Sequence, residues 1–189
     1  LPGEAGALSA SFPEPDDPGS IRVTLLQNIP GGFLPGTQAS RAVLEGATRT
    51  LDIMNPHFTD PGILDRIVAA AERGVRVLVR DTSNNPLADA ALKHEDRRLQ
   101  EAGVEIWEYP TMMHAKVAVA DDTLTVGTIN YDAGALYRNL EIALLFENSG
   151  VADDARATFI EPDIARSWPA EAPDGLRQTI EGWIGDKLV

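Results

Sequence analysis

A chain of 189 residues with 43% hydrophobic and 24% charged side chains has the composition of one folded domain. Its formal net charge of −13 argues against long-range attraction to nucleic acid, whose binders carry a basic stripe, and leaves room only for a local basic site. Lacking cysteine, it has no disulfide, no thiolate metal site and no thiol nucleophile, and no apolar run approaches the ~20 residues needed to span a bilayer.

Residues 1–20 hold four Pro and three Gly with no helical or strand period, so they read as a flexible leader or interdomain linker ahead of a single domain over 21–189. The first residue is Leu and nothing near it has the form of a signal peptide. The compartment is left open, with secretion or the cell envelope after processing among the options. Ile21 to Gln27 is β-like, Asn28 to Thr37 a turn-rich loop and Gln38 to Arg49 a helix. A strand follows over Thr50 to Asn55. Asp60 then stands at an N-cap with Pro61 at the first helical position, opening a helix with Ile63, Leu64, Ile67, Val68 and Ala71 on one face and Gly74 at its end. Residues 75–80 are a strand, so strand, helix and strand suggest parallel neighbours joined by a crossover. A helix over about 86–102, with His94 in a solvated charged face, leads to a strand over 104–109. The patterns after residue 150 predict helices over about 151–168 and 175–187. Strands apolar on both sides and alternating with helices imply an α/β three-layer α/β/α sandwich with a mixed sheet.

The polar groups concentrate in one stretch. His114-Ala-Lys116-Val-Ala-Val-Ala-Asp121 reads as a strand, Gly127-Thr128-Ile129-Asn130 follows it, and Asn139-Leu140-Glu141 opens another strand. Alternation puts His114 and Lys116 on one face, and separates Asn139 and Glu141 from Leu140, Ile142, Leu144 and Phe146. An imidazole can attack or donate a proton, an ammonium and an amide can hold anionic oxygens, and a carboxylate can hold an imidazole. Such a set suits phosphoryl transfer. Spacing alone leaves an equal alternative: ordinary polar residues at strand ends.

The spacing HxKxxxxD, then GTxN, then Asn-x-Glu resembles the phospholipase D superfamily, whose signature is HxKxxxxD followed by a Gly-Ser-x-Asn step. Glu108-Tyr109, Met112-Met113-His114-Ala115-Lys116, Asn130-x-Asp132 and Asn139-x-Glu141 are similar to the second catalytic half of bacterial cardiolipin-synthase-type enzymes, as are Asn55-Pro56-His57-Phe58 and Arg73-Gly74-Val75-x-Val77. The resemblance implies a phospholipase D-like fold and a phospholipase D-type phosphodiesterase or phosphatidyltransferase that cleaves a phospholipid headgroup ester through a phosphohistidine, without metal or other cofactor. By it, His114 is an active-site histidine, Lys116, Thr128 and Asn130 hold phosphate oxygens, and Glu141 orients the imidazole. Asp121 and Asn139 support these residues from behind. His57 stands near where the family keeps an aromatic residue beside the pocket. Met112 and Met113, with Trp107 and Tyr109, suggest an apolar lip for acyl chains, the alternative being core packing.

The departures from the family pattern carry information. The interval from Asp121 to Gly127 is one residue shorter than usual, and Ala133-Gly134-Ala135 replaces the Pro-Arg-Ser that follows Asn-x-Asp in cardiolipin synthases, with Arg138 a partial substitute. Superfamily sites use two histidines and this chain carries one such motif, so the expected partner is a second motif-bearing chain. It is either another copy in a homodimer or, preferred because the match is to a second half, the N-terminal half of the same enzyme. A phospholipid substrate and transient contact with a membrane surface are expected. The other functional class is a homodimeric nuclease of the same motif, which the net charge disfavours.

Overall fold

The computed structural model of the protein describes residues 20–81 and 95–170. Its strands are β1 (Thr24–Asn28), β2 (Thr50–Met54), β3 (Arg76–Asp81), β4 (Glu105–Glu108), β5 (Val117–Ala120), β6 (Thr123–Gly127), β7 (Glu141–Glu147) and β8 (Trp168–Pro169). They form one mixed sheet in the order β1-β7-β6-β5-β2-β3-β4-β8. Only β2, β3 and β4 run parallel, as the predicted crossover requires, and the remaining pairs are antiparallel. The helices are α1 (Pro35–Gly46), α2 (Pro61–Glu72), α3 (described over 95–101), α4 (Ala133–Tyr137), α5 (Ser149–Ala155) and α6 (Glu161–Ile164). The expected leader, the start of the 86–102 helix with His94, and the 175–187 helix lie outside the described residues.

Alternation along β2 separates the two cores. Leu51 and Ile53 join Val77, Ile106, Ala118 and Ala120 under α1 to α4, which contribute Leu44, Ile63, Ile67, Leu99 and Leu136. Met54, on the other face, meets Val119, Leu124 and Met113 beneath Ala152, Ala155 and Ile160. The arrangement is the expected three-layer sandwich. Fully buried Ile63 and Ile67 on α2 each contribute about 1.5–3 kcal/mol of burial. The helix starts where the sequence predicts: Asp60 Oδ1 accepts from Ile63 N at 3.0 Å, and Gly74 with φ +84° turns the chain out after it.

Two sequence expectations are corrected. The strand predicted from His114 starts at Val117, because β2 ends opposite it at Met54 and β6 ends at Gly127, leaving residues 112–116 outside the ladder. The helix predicted over 151–168 is broken into α5, a π-turn at Arg156–Ile160 and the short α6, after which Trp168–Pro169 joins the sheet edge beside β4. Arg156 is the reason for the break. Its guanidinium donates to buried Asp52 at 2.9 Å, to Thr50 Oγ1 at 3.0 Å and to Asp121 O at 2.7 Å, so the chain must bulge to keep it seated while Pro162 has no amide to extend the helix.

Asp121 sits in the hairpin between β5 and β6 with φ +50°. Its carboxylate accepts from the amides of Thr48 at 2.8 Å, Arg49 at 2.9 Å and Thr50 at 2.9 Å, and from the Thr48 hydroxyl at 2.7 Å. The motif aspartate therefore fastens the hairpin to the turn between α1 and β2. Burial by itself raises its pKa, but the bonds from Thr50, Thr48 and Arg49 outweigh that and bring it from 3.8 to about 2. A depressed folded-state value means the bonds contribute fully above the unfolded value and are lost as pH falls toward the folded one. Urea denaturation should show this contribution disappearing between about pH 4 and pH 2, whereas Asp121→Asn should be less stable by roughly 1–3 kcal/mol at pH 7 and lack that part of the acid dependence. Equal stability of the two proteins at pH 7 would contradict the fastening role.

At the other end of the hairpin, Gly127 pairs with Ala143 of β7, and a Cβ placed on it would lie 2.2 Å from Ile142 O and 2.6 Å from Ala143 Cα. No side chain fits there. Gly127→Ala should force β6 and β7 apart and cost roughly 1–3 kcal/mol or more, read as a lowered urea midpoint at unchanged slope.

Candidate active site

The site lies at the end of the sheet where β2 finishes, the chain enters β5, β6 hands over to the 128–132 segment, and β7 begins. Lys116 is the last residue before β5, and its carbonyl accepts from Gly127 N at 3.1 Å, which joins the HxK segment to the GTxN segment. Its Nζ donates to His114 O at 3.0 Å. Burial lowers the Lys116 pKa, while Glu141 and Asp132 act in the opposite direction. The ammonium is thus partly stripped of water and faces two carboxylates. Ser40, Thr125 and Tyr131 line the small cavity beneath it.

Thr128 follows Gly127 and is locked to β7: its amide donates to Ile142 O at 2.9 Å and its hydroxyl accepts from Ile142 N at 3.0 Å. The hydroxyl donates to Glu141 Oε2, and Asn139 Nδ2 reaches Glu141 Oε1 at 3.4 Å. Glu141 was expected to orient His114. Its carboxylate is held by Thr128 and Asn139 instead, because the β6–β7 register sets Thr128 beside it. The imidazole of His114 is exposed and has no hydrogen-bond partner among the described residues.

Asn130 is half-buried, and its Oδ1 is buried without a hydrogen-bond partner. An unsatisfied buried amide costs about 1–3 kcal/mol, and a ligand on this side of the sheet would relieve it. Asp132 went unmarked as a site residue in the sequence, although Asn130-x-Asp132 contains it. It caps α4, with Oδ1 accepting from Gly134 N at 2.7 Å and Ala135 N at 3.0 Å. Its charge acts on both Lys116 and His57. An acidic residue opening a short helix directly after Asn130 was the available signal.

Asp132, Lys116 and His114 lie within electrostatic reach of His57, Asp132 and Glu141 act on Lys116, and Thr128 and Asn139 hold Glu141. Asp121 is not among them, being five residues along β5 from Lys116, roughly 17 Å away at strand rise. Met113 is buried in the second core at 4% exposure and cannot serve as an apolar lip, whereas Met112 is exposed. Trp107 packs partly against the same core as Met113. Arg138 is exposed at the end of α4. Among the described residues no group of three or more His, Asp and Glu side chains could hold a metal ion, and no helix is long and apolar enough to cross a membrane.

Residues 41–162 match the family model described as cardiolipin synthase, PLD-like domain. Cardiolipin synthase 1 of Bacillus cereus is 34% identical over 159 residues, which are 82% of this chain and 28% of that protein. The chain therefore spans under a third of that relative's length. Among solved structures, the phospholipase D family member Nuc from Salmonella typhimurium superposes with a TM-score of 0.69 at 19% identity, over 80% of this chain and 99% of Nuc. Phosphatidylserine synthase from Haemophilus influenzae gives 0.72 at 15% identity, over 90% of this chain and 47% of that one. These two likenesses concern the fold. With the family model matched from the middle of α1 to the start of α6, the chain belongs to the phospholipase D-like family of the cardiolipin synthases.

Proposed function

We propose that this chain supplies one half of a phospholipase D-type active site that cleaves a phospholipid headgroup ester and passes the phosphatidyl group to water or an alcohol. The observation that carries the reading is the grouping of an exposed imidazole, a partly desolvated ammonium and an unsatisfied amide at one open end of the sheet. Family membership and relatives named cardiolipin synthase support the lipid substrate.

In this reading the His114 imidazole attacks phosphorus, forming an N–P bond as the P–O bond to the headgroup alcohol breaks. The departing alkoxide takes a proton from an imidazole on a second motif. Water or an acceptor alcohol then attacks phosphorus, gives its proton back to that imidazole and releases His114. If the roles of the two motifs are exchanged, His114 performs the proton transfers and the other histidine is the nucleophile. In either case Lys116 and Asn130 stabilise the charge that gathers on the equatorial oxygens. Thr128 and Glu141 form a braced pair at the rim, and Thr128 can turn its hydroxyl to a phosphate oxygen once substrate competes for it.

The second motif comes from another copy or from the N-terminal half of the same enzyme. A surface suited to it adjoins the site: Val23, Leu25, Ile142 and Leu144 are 37–59% exposed on β7, β1 and the residues leading into β1, and Leu140, between Asn139 and Glu141, is 71% exposed. Leu25 and Leu144 stand opposite each other in register, so this apolar row is continuous across two strands. A second motif-bearing half seated there would cover apolar surface and close the site in one step.

Native mass spectrometry of the active species should find either two 20.3 kDa copies or one copy with a different motif-bearing chain, and full turnover by a lone copy would contradict the shared site. The assembled enzyme should release headgroup from phosphatidylglycerol vesicles and leave single-stranded DNA intact; DNA cleavage without lipid turnover would reverse the substrate assignment. His114→Ala and Lys116→Ala should each lower kcat by at least about a thousandfold with unchanged thermal unfolding, while Thr128→Ala should lose only about tenfold.

A further inference from the structure

The loop after β2 is fastened to the segment that carries Asn130. Asn55 Nδ2 donates to Ile129 O at 3.2 Å, Tyr131 N donates to His57 O at 2.7 Å, and Asp60 N donates to Tyr131 O at 3.0 Å. Asn55 Oδ1 in turn accepts from His57 N at 3.1 Å. The neighbours on either side, Pro56 and Phe58, are buried, while His57 is half-exposed.

A histidine held for structural reasons uses a ring nitrogen to bond a neighbour. Neither ring nitrogen of His57 has a hydrogen-bond partner among the described residues. The charged and titratable groups that act on it are Asp132, at the start of α4, and Lys116 and His114, on the approach to β5. These are the groups that flank the expected phosphate. Burial is the main effect that lowers its pKa; Lys116 and His114 lower it further and Asp132 opposes them. Burial therefore favours the uncharged ring, in which one nitrogen can accept a hydrogen bond.

We propose that His57 is a substrate-contacting, specificity-determining residue, which accepts a hydrogen bond from a hydroxyl on the alcohol esterified to the phosphate held by Lys116 and Asn130. The inference rests on the phosphodiester reading of the same site and adds to it a residue of this chain that tells hydroxylated headgroups from those without a hydroxyl. A quaternary ammonium headgroup offers no such hydroxyl and meets the Lys116 charge. The strand that leads into the His57 loop, β2, and the strand that begins at Glu141, β7, lie on opposite sides of the β5–β6 pair, so a single half carries the phosphate grip and the headgroup contact on different elements.

Two measurements test it. The chain holds three histidines, so its imidazole NMR signals can be assigned by comparing His57→Asn and His114→Asn with the parent. Adding inorganic phosphate should raise the pKa of both His57 and His114. A response of His114 without one of His57 overturns the role of His57 and leaves the phosphodiester reading standing; no response from either overturns both. In the assembled enzyme, His57→Phe should lower kcat/KM for phosphatidylglycerol about tenfold relative to phosphatidylethanol, the loss of one hydrogen bond to a substrate hydroxyl. Equal losses on the two lipids would mean that His57 only shapes the loop, and the proposal would fall.

Discussion

The contact of Gly127 with Ala143 determines where the rest of the site can stand. Because no Cβ separates them, β6 lies against β7 closely enough for Thr128 to exchange two hydrogen bonds with Ile142. That pairing sets the Thr128 hydroxyl on Glu141. It also ends the β6 ladder at a fixed point, from which Ile129 and Tyr131 turn back to hold the loop of His57. A looser strand pair would let the amide of Asn130, the imidazole of His57 and the ammonium of Lys116 drift independently, and the proposed grip on a phosphate would need them held in place.

The histidine and lysine of the motif stand at one end of β5 and its aspartate at the other, and they do different work. His114 and Lys116 face the open edge, while Asp121 gathers amides from the turn before β2 and lies near the Arg156 that anchors the π-turn. The spacing HxKxxxxD thus measures the length of one short strand plus its hairpin. A residue inserted within it would send Lys116 to the opposite face of the sheet, since side chains alternate with a period of two.

Much of this was legible in the sequence because it follows from local rules. Alternation in 139–146 separated Glu141 from the apolar row, and the structure keeps that division; Asp60-Pro61 and Gly74 mark the ends of α2 as read. The features that escaped depend on contacts distant in sequence. Trp168–Pro169 is too short and too polar in context to announce a strand, and becomes one only because β4 offers a free edge. The π-turn exists because Arg156 meets Asp52, 104 positions away. Glu141 is claimed by Thr128 rather than His114 through the register of two strands, which no spacing within either one specifies. Asp132 caps α4, and its charge acts on Lys116 and His57 only because three separate loops meet.

The pairing of Asp52 with Arg156 has a consequence for how the layers are put together. Asp52 is buried at 2% exposure in the middle strand of the sheet, and Arg156 reaches it at 2.9 Å from the helical layer above. Oil on oil would let that layer slide by a turn at little cost. A carboxylate sunk in the sheet makes a misplaced arrangement lose its hydrogen-bonded partner and leaves it only the longer contact with Arg76 at 3.7 Å, a cost in buried charge. The ion pair therefore acts as a key between the layers: it rejects the wrong alignments, and the strand ends that carry the polar groups are presented in one orientation.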